Sequence, residues 1–113
     1  MHELSIATGL VEITIDEATR HGATHVVGVD LVLGALTGVE PDALEFCFPV
    51  AAAGTLCDGA RLRIEIEPAR GWCPACAATS EVRELMSACP QCGEWPLNLE
   101  GGRDMRLRSV DVT

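Results

Sequence analysis

Cys73-Pro74-Ala75-Cys76 and Cys89-Pro90-Gln91-Cys92-Gly93 are two matched cysteine pairs separated by a spacer of twelve residues, Ala77 to Ala88. Each Cys-x-x-Cys turn can aim two sulfurs at one ion, and two such turns supply the closed tetrahedron that a structural Zn(II) prefers. The stretch therefore predicts a zinc-ribbon-like module with Cys73, Cys76, Cys89 and Cys92 as a tetrathiolate set. A redox dithiol is the rival, because Trp72-Cys73-Pro74-Ala75-Cys76 looks like the Trp-Cys-x-x-Cys of thioredoxin-type proteins. A redox pair normally opens a long helix whose N-terminus lowers the thiol pKa. Here Ala77-Ala78-Thr79-Ser80 follows, and a second near-copy of the motif comes after it. A closed site of this kind holds shape and leaves no open position for water, so any chemistry must come from elsewhere in the chain.

Working outward, the remaining residues make a chain of 113 with one domain's worth of core or a small domain carrying an insertion. Seventeen acidic residues face eight basic ones, giving a formal charge of -9. Phosphate binding needs clustered cations, and a tetrathiolate zinc adds negative charge, so nucleic acid is not an expected partner. Met1-His2-Glu3 has no signal-peptide order and no apolar run is long enough to span a bilayer, so no membrane association is expected. Free thiols suit a cytoplasmic location.

On the N-terminal side, Leu4, Ala7, Val11, Ile15 and Ala18 recur at helical spacing, with Ile6, Leu10 and Ile13 on the adjoining face, predicting a helix to about Arg20 closed by Gly22. Val26 to Leu33 has the period of a strand. Pro41 fits the first turn of a second helix that turns Ala43, Leu44, Phe46 and Cys47 inward, and Pro49 is expected to end or kink it. Leu62, Ile64 and Ile66 alternate with Arg61, Arg63, Glu65 and Glu67 in the cleanest strand pattern of the chain, ended by Pro68. Beyond the cysteines, Met105 and Leu107 alternate, whereas Val110 and Val112 have the opposite parity, so a bulge near Ser109 or a frayed last strand is expected. The fold class is α+β: two helices packed on a small, about three-stranded sheet, with the zinc-ribbon-like module inserted. The domain division is 1-68 plus 103-113 for the α+β part and 69-102 for the zinc-binding part.

With the cysteines used, Met1-His2-Glu3 is the next candidate for a metal. The terminal amine and the His2 amide nitrogen close a five-membered chelate ring, and that amide with the His2 imidazole Nδ1 closes a six-membered one. The Glu3 amide or carboxylate can supply a fourth donor. Nitrogen and oxygen donors in a plane favour Ni(II) or Cu(II), and an octahedral arrangement with water is equally open. Taken alone, a second-residue histidine is more simply an exposed side chain near a terminus. His21 and His25 are divided by Gly22, and His21 reads as a cation at a helix C-terminus. Cys47 reads as a small core hydrophobe, and Cys57 sits in a glycine-flanked turn without a partner at ligand spacing. Glu65 and Glu67 read as solvated strand positions. No nucleophile-base order, phosphate loop or carboxylate pair stands out, so an enzyme is not expected.

These residues together resemble the HypA/HybF family of nickel metallochaperones that help mature NiFe hydrogenases. The likeness runs the whole length. It rests on Met1-His2-Glu3-Leu4-Ser5-Ile6, Thr37-Gly38-Val39-Glu40-Pro41-Asp42-Ala43-Leu44, Gly59-Ala60-Arg61-Leu62, both cysteine pairs and Gly102-Arg103-Asp104-Met105. The resemblance implies His2 as the essential nickel ligand, with Glu3 and the Met1 terminal amine beside it, Glu40 as an accessory ligand, and structural Zn(II) on Cys73, Cys76, Cys89 and Cys92. It also implies a non-catalytic carrier that passes Ni(II) on with a hydrogenase maturation GTPase to the NiFe hydrogenase large-subunit precursor. Relatives in some organisms also serve urease through its maturation proteins. The chain departs from the family pattern at Pro49, where relatives continue the helix. Two other classes stay open on the residues alone, a zinc-ribbon adaptor indifferent to nickel and a thiol oxidoreductase using Cys73 and Cys76.

Overall fold

The computed structural model of the chain describes residues 2–113. Met1, whose terminal amine is one of the expected nickel donors, lies outside the described residues. The elements run α1 (Glu3–Arg20), β1 (Val26–Gly34), α2 (Pro41–Ala52), β2 (Arg61–Glu67), β3 (Ala69–Cys73), β4 (Ala78–Val82), β5 (Asn98–Glu100) and β6 (Met105–Val112). They form two three-stranded sheets, ordered β2-β1-β6 and β4-β3-β5. The expected α+β architecture is present, two helices with a small sheet and an inserted cysteine module. That module carries a sheet of its own which the cysteine spacing did not predict.

The chain divides into two compact units. One comprises residues 1–31, 39–65 and 106–113, and the other 32–38 and 66–105.

The first, helical unit is built on α1 and α2, which pack on each other. Ala7, Leu10, Val11 and Ala18 of α1 meet Leu44, Phe48 and Ala52 of α2 and Val26, Val29 and Leu31 of β1 in a single core. Thr14 is buried among them, its hydroxyl donating to the Leu10 carbonyl at 2.8 Å, so no polar group is stranded. The buried stripe of α1 is narrower than its apolar pattern, since Leu4 and Ile13 are exposed. Gly22 has φ +74°, the left-handed geometry expected past the helix end, and its N–H bonds the Thr19 carbonyl.

Two expectations for α2 are corrected. Phe46 points outward, because it lies two residues from Leu44 and so on the far side of a 3.6-residue turn, while Phe48 takes the core position four residues on. Pro49, expected to end or kink the helix, does not end it, since the helix continues to Ala52. The hydrogen bond that Pro49 cannot donate belongs to the Glu45 carbonyl on the exposed side, where water can replace it. Cys47 packs against the core as expected, and Cys57 lies in a turn, as expected, and is fully buried in the same core.

Strand β6 is unbroken to Val112. Leu107 and Val110, three residues apart, both pack against the core. The adjacent Arg108 and Ser109 both reach side chains on the other strands of the sheet, Glu65 of β2 and Asp30 of β1. Parity therefore changes at this point, as the sequence pattern required.

The second, cysteine unit has β3 at the centre of its sheet. Ala69 to Cys73 pair antiparallel with Val82 to Ala78, and Arg70 to Trp72 pair antiparallel with Glu100 to Asn98. Backbone bonds from Gly34 to Asp104, Ala35 to Glu67 and Leu36 to Gly102 fasten the 32–38 segment to this unit. The chains approach so closely there that a Cβ on Gly34 would come within 2.4 Å of the Gly102 backbone, so only glycine fits.

Candidate metal centre

Cys73 is the last residue of β3, and Cys76 follows in the turn that leads to β4. Cys89 and Cys92 occupy a turn closed by backbone bonds from Gly93 to the Cys89 carbonyl and from Cys89 to the Glu94 carbonyl, both 2.9 Å. The residue after the second cysteine of each pair is left-handed, Gly93 at φ +78° and Ala77 at φ +50°. The two turns thus repeat one local geometry. Glycine meets it without cost in the second, and alanine accepts a penalty on the order of 1–2 kcal/mol in the first.

The four sulfurs converge. All lie within 4.8 Å of one another, with Cys73 Sγ 3.6 Å from Cys92 Sγ and Cys76 Sγ 3.9 Å from Cys89 Sγ. The edge of a tetrahedron with metal–sulfur bonds of about 2.3 Å is about 3.8 Å, so the observed separations fit a tetrathiolate cage. Sulfurs this close cannot all hold negative charge unaided. Hydrogen bonding to the Cys92 sulfur, and then burial, pushes Cys76 up to about 12. The backbone N–H groups of Cys92 and Gln91 hold Cys89 down at about 7. A divalent cation would relieve the repulsion as it displaces the thiol protons.

The other expected ligands sit in the helical unit. His2 is exposed at the N-cap of α1, where its carbonyl accepts the Ile6 N–H at 3.1 Å. Glu3, half-buried, opens α1, and its Oε2 accepts the backbone N–H of Glu40 at 3.3 Å. Glu40 is the N-cap of α2, so the Glu3 carboxylate satisfies one of the donors left over at that helix start. The same bond holds the Glu3 carboxyl below its ordinary range. Residues 37 apart are thereby joined, a juxtaposition that no local sequence signal contained. His21 instead lies 3.1 Å from Glu17 through Nε2, at the C-terminus of α1.

Sequence reading also missed a polar ladder across β2, β1 and β6. Arg63 Nη2 donates to Asp30 at 2.9 Å, Ser109 Oγ donates to the same carboxylate at 2.6 Å, and Arg108 Nη2 donates to Glu65 at 3.2 Å. Glu65 is thus paired across the sheet. Alternating strand patterns show which residues face solvent, but not which of them meet.

A closed sulfur cage in one unit and a helical unit without a catalytic constellation among the described residues define a metal-binding protein of the zinc-ribbon class. The chain belongs to the HypA family, described as hydrogenase/urease nickel incorporation, metallochaperone, whose sequence model matches residues 1–112. This is a metallochaperone family, not an enzyme family. The chain is 44% identical to the hydrogenase maturation factor HypA of Chlorobaculum tepidum over 112 residues, 99% of each chain. It is 40% identical, with the same coverage, to that of Dechloromonas aromatica. Its fold is similar to the solution structure of the Ni metallochaperone HypA from Helicobacter pylori, with a TM-score of 0.68 at 23% identity, covering 99% of this chain and 97% of the other. Among the described residues, no helix is long and apolar enough to cross a membrane.

Proposed function

We propose that this chain carries Ni(II) at its N-terminus and delivers it, with a GTPase partner, to the NiFe hydrogenase large-subunit precursor. Urease maturation proteins are a second class of client. The donors are the Met1 terminal amine, the His2 amide and imidazole, and Glu3, with Glu40 as an accessory ligand. Structural Zn(II) occupies the cage of Cys73, Cys76, Cys89 and Cys92, and the protein acts in the cytoplasm.

The observation that carries the reading is the full-length match to a nickel-incorporation family in a chain that begins Met1-His2-Glu3. The contact between Glu3 and Glu40 supports it, because it draws a second carboxylate-bearing residue to the start of the chain. A carrier must also let go. Three or four donors at a chain end can be removed one at a time, whereas four converging sulfurs hold their ion.

Nickel titration of the untagged protein beside His2→Ala, with zinc quantified in the same samples, tests the assignment. The expected result is one zinc per chain in both and nickel bound by the wild type alone. Nickel binding untouched by His2→Ala, or lost together with zinc, would move the ion into the cysteine cage and end the N-terminal reading.

A further inference from the structure

Helix α2 carries a second pattern that neither metal site uses. Leu44, Phe48 and Ala52 face the core, while Asp42, Glu45, Phe46, Pro49 and Val50, at i, i+3, i+4, i+7 and i+8, are all exposed on the other side. Phe46 is 79% exposed and Val50 62%. A phenylalanine held in water at the middle of an ordered helix, next to an exposed valine and proline, is the anchor pattern of a helix that seats against another surface. Asp42 and Glu45 border this patch and, among the described residues, pair with no cation. Pro49 adds an acceptor, because it offers no N–H to the Glu45 carbonyl.

The charge decides the occupant. A second copy meeting this face with its own α2 would set these carboxylates against one another or bury them against Val50, because the helix itself carries no Lys or Arg, and a chain of formal charge -9 repels its like. We infer that the outer face of α2 is a docking surface for a protein partner that presents an apolar pocket for Phe46 bordered by Arg or Lys. Glu40, the N-cap of this helix, donates its N–H to the Glu3 carboxylate, so a partner seated on α2 lies along the helix that begins beside the proposed nickel donors. Its role as the handover face rests on the carrier reading; the docking itself does not.

The test is the affinity of full-length wild type, Phe46→Ala and the double variant Asp42→Asn/Glu45→Gln for the purified maturation GTPase and the purified large-subunit precursor, at two salt concentrations. Phe46 is exposed, so its truncation leaves the fold intact. For one of the two partners, Phe46→Ala should weaken binding by roughly ten-fold or more, and the double variant should weaken it about three-fold with a flatter salt dependence. Nickel titrations of the same variants should match the wild type. The inference is overturned if neither partner binds the wild type, if every variant stays within about two-fold of it, or if Phe46→Ala abolishes self-association seen by sedimentation. Partner binding through Phe46 by a protein that takes up no nickel would uphold the docking surface and sink the carrier reading.

Discussion

Eleven buried apolar residues form the core of the helical unit, from Ala7 to Cys57, and they come from two helices, a strand and the turn after α2. The core of the cysteine unit has five, and two of those are Cys73 and Cys89 of the sulfur cage. Without the cage its interior is Ala69, Val82 and Leu97, with Leu36 and Leu99 at the margin. Burial on that scale does not offset the chain entropy of a segment this long, so the helical unit is held by packing and the cysteine unit by its metal. The same contrast separates the work proposed for them, a permanent ion in one and a passing ion at the edge of the other.

Metal removal should break the two apart most visibly. Both tryptophans, Trp72 and Trp95, lie in the cysteine unit, and both helices lie in the other. Chelation, or Cys76→Ser, should move tryptophan emission to that of an unfolded chain while the far-ultraviolet helix signal persists. Structural zinc contributes roughly 10–16 kcal/mol in small zinc peptides, far more than the local core can replace. Joint collapse of both signals would show that the two units are not separately held. The converse substitution is Phe48→Ala, which empties the largest fully buried side chain of the helical core and should cost about 3–5 kcal/mol. Denaturation followed by the helix signal should shift to lower urea, with tryptophan emission and metal content of the native protein unchanged.

How much could be read in advance follows the same divide. In the helical unit periodicity told the elements and their order, because α1 repeats at the helical period and Leu62, Ile64 and Ile66 alternate. It did not tell direction on a short helix. Phe46 and Phe48 are equally apolar, and only the packing against α1 and β1 decides which is buried. Pro49 misled for a related reason, since the rule against helix-interior proline assumes that the lost bond has no substitute, and on the wet side of α2 water provides one. In the cysteine unit spacing carried the reading. Two short loops suffice to bring four sulfurs together, so their convergence was legible while the sheet of β3, β4 and β5 was not. The strain at Ala77 was hidden because alanine is not a turn residue. The Glu3 to Glu40 bond was illegible for the plainest reason, that its partners are 37 residues apart.

Acid should separate the units with the smallest effect and the finest resolution. In the cysteine unit, protons compete with the metal for thiolates, so falling pH releases the ion and tryptophan emission should change first. In the helical unit two carboxyls are held down, Glu3 by the Glu40 N–H and, further, Asp30, which receives hydrogen bonds from Arg63 and Ser109 and is thereby held at about 2, below an ordinary value of 3.8. A depressed carboxyl stabilises the fold fully above its unfolded value and loses that contribution as pH falls through the folded one. The Asp30 share of helical stability should therefore be intact at pH 5 and fade between about 4 and 2. The Asp30–Arg63 pair is open to water and screened, so the contribution is small. Asp30→Asn should reduce the pH dependence of the helix transition in that window, leaving the part due to Glu3, and leave the pH of the tryptophan change where it was. If both transitions moved together, the ladder across β2, β1 and β6 would be holding the cysteine unit as well. The division of labour between packing and metal would then have to be redrawn around the strands.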